Sequence, residues 1–127
     1  MRAFLLPLVL FCGTTWACGY CVEDKIAATY DHAVVTQALA KKHHVVFFHV
    51  EGSPERRVLE RAVYAAGADR GSARISADRL TVSFAFDPAR TRLAAVQDRI
   101  EKRLGTVSLL PLQVMERPGD MKVVEAR

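Results

Sequence analysis

Hydrophobic positions in this chain recur with a period near four in some stretches and near two in others, and the switches between them mark out the elements. Val22, Ile26, Tyr30, Val34 and Ala38 or Leu39 fall about four apart, which predicts one helix over Val22 to Lys42 with a single apolar stripe. Glu23 and Asp24 suit its start, and Lys41 and Lys42 its end, because each matches the sign of the helix dipole there. From His44 the residues Val45-Val46-Phe47-Phe48-His49-Val50 are β-branched and aromatic and are closed by Glu51-Gly52, which predicts a strand half-buried on both faces. Ser53-Pro54 then reads as an N-cap followed by proline at the first helical position. Val58, Leu59, Ala62, Val63 and Ala66 form the inner face of that helix, and Gly67 ends it.

The same grammar returns further on. Asp87-Pro88 opens a second such helix, Leu93, Val96, Ile100 and Leu104 face inward, and Gly105 closes it. Between the two helices lie a short strand near Ala73 to Ser76, a turn at Ala77-Asp78, and a strand over Arg79 to Phe86. That strand alternates, with Leu80, Val82, Phe84 and Phe86 on one face and Arg79, Thr81, Ser83 and Ala85 on the other. A final strand covers roughly Val107 to Met115, and Arg117-Pro118-Gly119-Asp120 turns the chain into a short tail. The order from His44 onward is therefore β-α-β-β-α-β, which predicts an α+β fold of the ferredoxin-like kind, an antiparallel sheet with two helices on one face. The N-terminal helix is expected to cover the other face or to bind a partner.

The start of the chain belongs to a different pattern. Met1-Arg2 precedes an apolar run from Ala3 to Cys12, and Gly13-Thr14-Thr15-Trp16-Ala17 follows with small residues at the third and first positions before Cys18. This is the layout of a secretory signal peptide, too short for a membrane span of about 20 apolar residues. Cleavage after Ala17 leaves a mature chain beginning Cys18-Gly19-Tyr20-Cys21, in the periplasm or outside the cell, where thiols tend to oxidise. Lipidation of Cys18 is the main alternative and would tie the mature chain to a membrane, although such signals usually carry an aliphatic residue where Thr15 stands, and an uncleaved anchor is the remaining one. The expected organisation is a signal peptide over 1–17, a Cys-x-x-Cys segment and helix over 18–43, a ferredoxin-like domain over 44–115 and a tail over 116–127.

Composition narrows the function classes. With 127 residues, half hydrophobic and a quarter charged, the chain has room for one compact domain and is neither disordered nor collagen-like. Its net charge of +4 is spread over scattered arginines rather than a run, and the second face of the Arg79 to Phe86 strand offers no aromatic stacking residue. Nucleic acid is therefore not expected as a partner. No Ser-His-Asp arrangement, His-rich metal motif or glycine-rich phosphate loop is visible, and the chain has no asparagine for an acylphosphatase-like site. No residue is assigned a catalytic or cofactor-binding role.

Val50-Glu51-Gly52, the helix Val58 to Ala66, Leu80-Thr81-Val82-Ser83-Phe84 with Phe86-Asp87-Pro88, and the helix Val96 to Gly105 together resemble the heavy-metal-associated domain of copper chaperones and metal-pumping ATPases. The resemblance covers about 70 residues and implies the ferredoxin-like fold. The family's Gly-Met-x-Cys-x-x-Cys motif belongs in the loop after the first strand, and here that loop reads Gly52-Ser53-Pro54-Glu55-Arg56-Arg57. The fold of the family carries over in a degenerate form, and its metal site does not.

The thiols sit instead at Cys18 and Cys21. A Cys-x-x-Cys pair turns two sulfurs toward one another, which suits a soft-metal clamp for Cu(I) or Zn(II), a redox disulfide, or a structural pair. The intervening Gly19-Tyr20 is similar to the dipeptide of bacterial periplasmic disulfide isomerases, but those place the pair after a strand of a thioredoxin fold. The expected function is an exported protein that binds or hands over a soft metal, copper first and zinc second, through Cys18 and Cys21. A thiol-disulfide redox protein using the same cysteines and a metal-free interaction module are the alternatives, with a metal-handling or redox protein as partner. Four histidines are further candidates. On an unbroken helix His32 lies on the side of Cys21 but about 16 Å away, beyond the roughly 4 Å that ligands of one tetrahedral metal allow. His43 and His44 sit at the helix-to-strand junction. His49 is expected on the sheet's second face beside Phe47, and His43 and His49 approach the cysteines only if the first helix folds back across that face.

The mature chain is expected to start at Cys18. Intact-mass spectrometry of the exported protein should return the mass of residues 18–127, with a lipid added if Cys18 is acylated; a cytoplasmic protein retaining Met1 would contradict this.

Overall fold

The computed structural model describes residues 22–117 and 120–123. In chain order the elements are α1 (Val22–Ala27), α2 (His32–Ala40), β1 (His44–Glu51), α3 (Arg56–Ala65), β2 (Arg74–Ile75), β3 (Thr81–Phe86), α4 (Leu93–Leu104), β4 (Ser108–Arg117) and β5 (Asp120–Val123). The fold is α+β, and the strands form one sheet in the order β2-β3-β1-β4-β5 with every neighbouring pair antiparallel.

Period-two alternation along β1 and β3 divides their side chains between two cores. Val46, Phe48 and Val50 of β1 and Val82, Phe84 and Phe86 of β3 meet Leu59, Ala62 and Val63 of α3 and Val96 and Ile100 of α4. Phe48 stacks on Phe84 with ring centroids 5.8 Å apart, and Phe84 meets Phe86 edge-on at 6.5 Å. On the opposite face Val45, Phe47, Ala85 and Met115 pack with Ile26 of α1 and Val35 and Ala38 of α2. The sheet is therefore the middle of three layers. All six residues of β3 are buried for this reason, polar Thr81 and Ser83 included.

Several local expectations change. The single helix over Val22 to Lys42 is two helices, because the Asp31 side chain accepts hydrogen bonds from the backbone N–H of Ala33 (3.0 Å) and Val34 (3.3 Å) and so caps a new helix. The break rephases the stripe: Val35 is buried instead of Val34, and Tyr30 is 44% exposed. Ser53 is not an N-cap. Its φ of +46° is left-handed, whereas a cap needs extended backbone, and α3 begins at Arg56 with Glu55 in the cap position and no side-chain cap bond. Val58 consequently faces solvent, 43% exposed. Asp87-Pro88 does not open α4 directly. Asp87 closes an isolated turn, accepting at its side chain from Ala89 N–H and at its carbonyl from Arg90 and Thr91 N–H, and α4 starts at Leu93. Leu80 lies half-buried before β3 rather than in it.

The last strand also runs further than its apolar pattern indicates. β4 continues to Arg117, which pairs with Asp120, and the expected tail contributes β5 as an edge strand. Pro111 lies within β4 at a register shift between Phe47 and Phe48 of β1. A register shift is one of the few places where a sheet accepts a proline, and among the described residues β5 pairs only with Gln113 to Arg117, short of Pro111.

Gly52 ends β1 where two segments touch. Its φ is +108°, and a Cβ there would stand 2.4 Å from the Thr106 carbonyl oxygen. Gly52→Ala should cost about 1–3 kcal/mol from backbone strain alone, and more from the clash. The urea midpoint reports this; an unchanged midpoint would mean that the β1–α3 loop moves freely away from Thr106. Phe47→Ala should cost about 3–5 kcal/mol, as expected of a fully buried aromatic ring in a packed second core.

Candidate functional site

Cys18 and Cys21 lie outside the described residues. Cys21 is bonded directly to Val22, the first residue of α1, so the placement of α1 determines where the pair joins the domain. Ile26 holds α1 down, being 5% exposed within the second core. In the turn after the helix the carbonyl of Thr29 accepts a buried hydrogen bond from Ser83 Oγ of β3 (3.1 Å). Near its start, Lys25 Nζ lies 3.2 Å from His49 Nδ1 of β1. An ammonium group has only donors, so His49 Nδ1 accepts through its lone pair.

His49 thus sits on the face predicted for it, next to α1. Beyond it is the turn before β3, where Asp78 Oδ1 accepts from Ser76 Oγ (2.5 Å) and from Leu80 N–H (3.0 Å). The Ser76 hydroxyl first, then the Leu80 amide, hold the Asp78 carboxyl below the usual carboxylate range. The β1–α3 loop closes this end of the sheet. It contains no thiol or imidazole, and it is tied by Arg79 Nη1 donating to the Pro54 carbonyl (3.3 Å) and by Arg56 donating to the carbonyls of Ile75 and Ser76.

The other histidines are placed elsewhere. His43 stands between two carboxylates, with Nδ1 2.5 Å from Asp69 Oδ2 and Nε2 3.8 Å from Asp87 Oδ2, and links the α2–β1 junction to the loops after α3 and β3. The carboxylates approach opposite ring nitrogens, a structural brace rather than one converging ligand set. His44 packs edge-on against Phe86 with centroids 5.8 Å apart. His32 is exposed at the start of α2, with Tyr30 Oη 3.4 Å from Nδ1 and Thr36 Oγ1 3.5 Å from Nε2. The distance that separated it from Cys21 assumed an unbroken helix, and the cap at Asp31 removes that assumption. His32 borders an open, mainly apolar groove of about 380 Å³ that also involves Tyr30, Val35, Leu39 and Met115.

Sequence periodicity gives the face of His49 but not its partner. The Lys25–His49 contact depends on how α1 lies across the sheet, and no local pattern encodes that. The same is true of Asp69 and Asp87 beside His43. No group of three or more His, Cys, Asp or Glu side chains suited to a metal ion occurs among the described residues, and none of the described helices is long and apolar enough to cross a membrane. Compared with protein-family models, curated proteins and solved structures, the chain matches none of them.

Asp31 anchors the element beside this site. Its backbone bond from Val34 and its side-chain bond from Arg74 Nε (3.0 Å) are the main influences that hold its carboxyl below the usual range. A depressed carboxylate contributes stability that is present above the unfolded-state value of about 3.9 and is lost as pH falls through the folded-state value. Urea unfolding of the parent and Asp31→Ala should therefore differ most above about pH 5 and converge as pH drops below about 3.9. A difference independent of pH would mean that the carboxylate charge contributes nothing.

Proposed function

We propose that this protein is an exported carrier that binds a soft metal ion, Cu(I) first and Zn(II) second, through Cys18 and Cys21, and passes it to a metal-handling protein in the same compartment. We propose further that its body is a ferredoxin-like βαββαβ unit resembling the heavy-metal-associated domain. The strand order β4-β1-β3-β2, antiparallel throughout, with α3 and α4 on one face, supports the second reading.

The observation that carries the metal reading is the docking of α1. Ile26 and Thr29 fix this helix to the sheet, and its first residue follows Cys21. A Cys-x-x-Cys joined to a fixed helix pays less ordering entropy on closing around a metal than one on a free tether, which favours affinity. Thiolate sulfur selects Cu(I) and zinc over the hard cations. The loop that carries ligands in the resembling family holds Ser53, Pro54 and two arginines here, so the cysteines before α1 are the available soft donors in that part of the chain.

Replacing both Cys18 and Cys21 by Ser should abolish tight Cu(I) binding, measured anaerobically against a chromophoric Cu(I) chelator, and leave the thermal transition nearly unchanged. Copper binding equal to that of the parent would refute the cysteine assignment. Reactivation of a scrambled disulfide substrate by the parent, without Cu(I) binding, would replace it with the thiol-disulfide role.

A further inference from the structure

Independently of the cysteines, and of any lipid on Cys18, we propose that the outer surface of the α3–α4 layer is a docking face for a bilayer of anionic phospholipid. The arginines are scattered along the sequence, and the fold gathers them. Residues 55–65 and 92–104, which make up α3, α4 and their N-cap positions, carry seven cationic against four acidic side chains. Residues 22–42, on the other side of the sheet, carry three of each, and the rest of the described residues carry six of each. The net positive charge of the described residues therefore lies on one side.

Helical spacing aligns it further. Arg92, Arg99 and Arg103 are seven and four residues apart, which places them along one side of α4. That side is turned toward α3, because Arg99 Nη1 donates to the Ala66 carbonyl at the end of α3 (3.3 Å). On α3 itself Arg57 and Arg61 stand one turn apart. All five are exposed, and among the described residues Arg57, Arg61, Arg92 and Arg103 have no acidic partner. Two of the layer's four acidic groups are occupied: Asp98 pairs with Lys102 (2.9 Å), and Glu101 turns to β4, accepting from Leu109 N–H (3.1 Å). That leaves Glu55 and Glu60 near five guanidinium groups.

The chemistry of this face selects lipid over other polyanions. A guanidinium fork matches phosphate oxygens. A protein partner needs large anchors at the centre of the contact, and Val58, 43% exposed, is the one large apolar side chain that the described part of this layer exposes. Stacking of nucleic-acid bases needs an open ring, whereas Tyr64 is half-buried with its hydroxyl accepting from Ala73 N–H (3.2 Å). A bilayer requires neither, because its headgroups diffuse laterally and gather beneath whatever spacing of cations the protein presents. In this pose α1 and α2 face away from the membrane.

The test is binding of the exported protein to vesicles of equal phosphatidylglycerol and phosphatidylcholine, read by co-sedimentation against vesicles of phosphatidylcholine alone. Any acyl chain on Cys18 adds equally to both, so the ratio reads the charged face. Affinity for the anionic vesicles should be more than about tenfold higher at about 0.1 M salt, and the preference should vanish at about 1 M, where screening is nearly complete beyond 3 Å. Each arginine near an anionic surface changes binding about fivefold. Arg61→Gln/Arg103→Gln should therefore weaken it by more than about tenfold, while Lys41→Gln/Lys42→Gln, the same loss of charge on the opposite layer, should not. Arg57→Gln/Arg92→Gln should repeat the loss, which decides the face even if the first pair fails to fold. Equal affinity of the parent for the two kinds of vesicle, or equal weakening by the arginine and lysine variants, overturns the proposal. So does binding to polyglutamate or to a DNA duplex, dependent on Arg61 and Arg103, in a protein with no preference for anionic vesicles.

Discussion

The sheet is apolar on both faces, and covering the second face is the constraint on which the rest of the molecule depends. Val45, Phe47 and Ala85 are all but fully buried there, yet the two helices of the βαββαβ unit occupy the opposite face. Without α1 and α2 the Phe47 ring would stand in water, at a cost of roughly 1.5–3 kcal/mol for that side chain alone. The N-terminal segment is thereby part of the fold, and whatever it carries is attached to the sheet.

This second layer is smaller and more polar at its edges than the first. Thr81, Ser83 and Gln113 are buried beneath it, and only some of their polar atoms are matched: Ser83 Oγ bonds the Thr29 carbonyl, while Thr29 Oγ1 and Gln113 Oε1 find no hydrogen-bond partner among the described residues. A buried unmatched group costs about 1–3 kcal/mol. The layer is held at its edge by the Asp31–Arg74 pair, which ties the start of α2 to β2.

The strands and helices facing the first core were legible because their information is local. Val46, Phe48 and Val50 in β1, and Val82, Phe84 and Phe86 in β3, alternate cleanly, and Leu59, Ala62 and Val63 repeat at helical spacing. The N-terminal helix misled because two local signals compete there: the apolar stripe runs through Tyr30 and Val34, while Asp31 ahead of an apolar run is also a cap, and the cap wins. Ser53 failed for a reason outside its local window: Gly52 lies against Thr106 with no room for a Cβ, and the chain leaves β1 with both Gly52 and Ser53 at positive φ. At the site, alternation alone puts His49 beside Phe47. The approach of Lys25, like the carboxylates around His43, joins residues more than twenty positions apart and leaves no trace in any window of the sequence.

The central claim is that Cys18 and Cys21 are reduced and engage a soft metal together. It is tested most directly by thiol alkylation of the exported protein, read by intact mass with and without Cu(I). Both thiols should alkylate in the metal-free protein, and both should be protected once one equivalent of Cu(I) has been added. Equal alkylation in the two samples, or a Cys18–Cys21 disulfide that resists mild reduction, would contradict it.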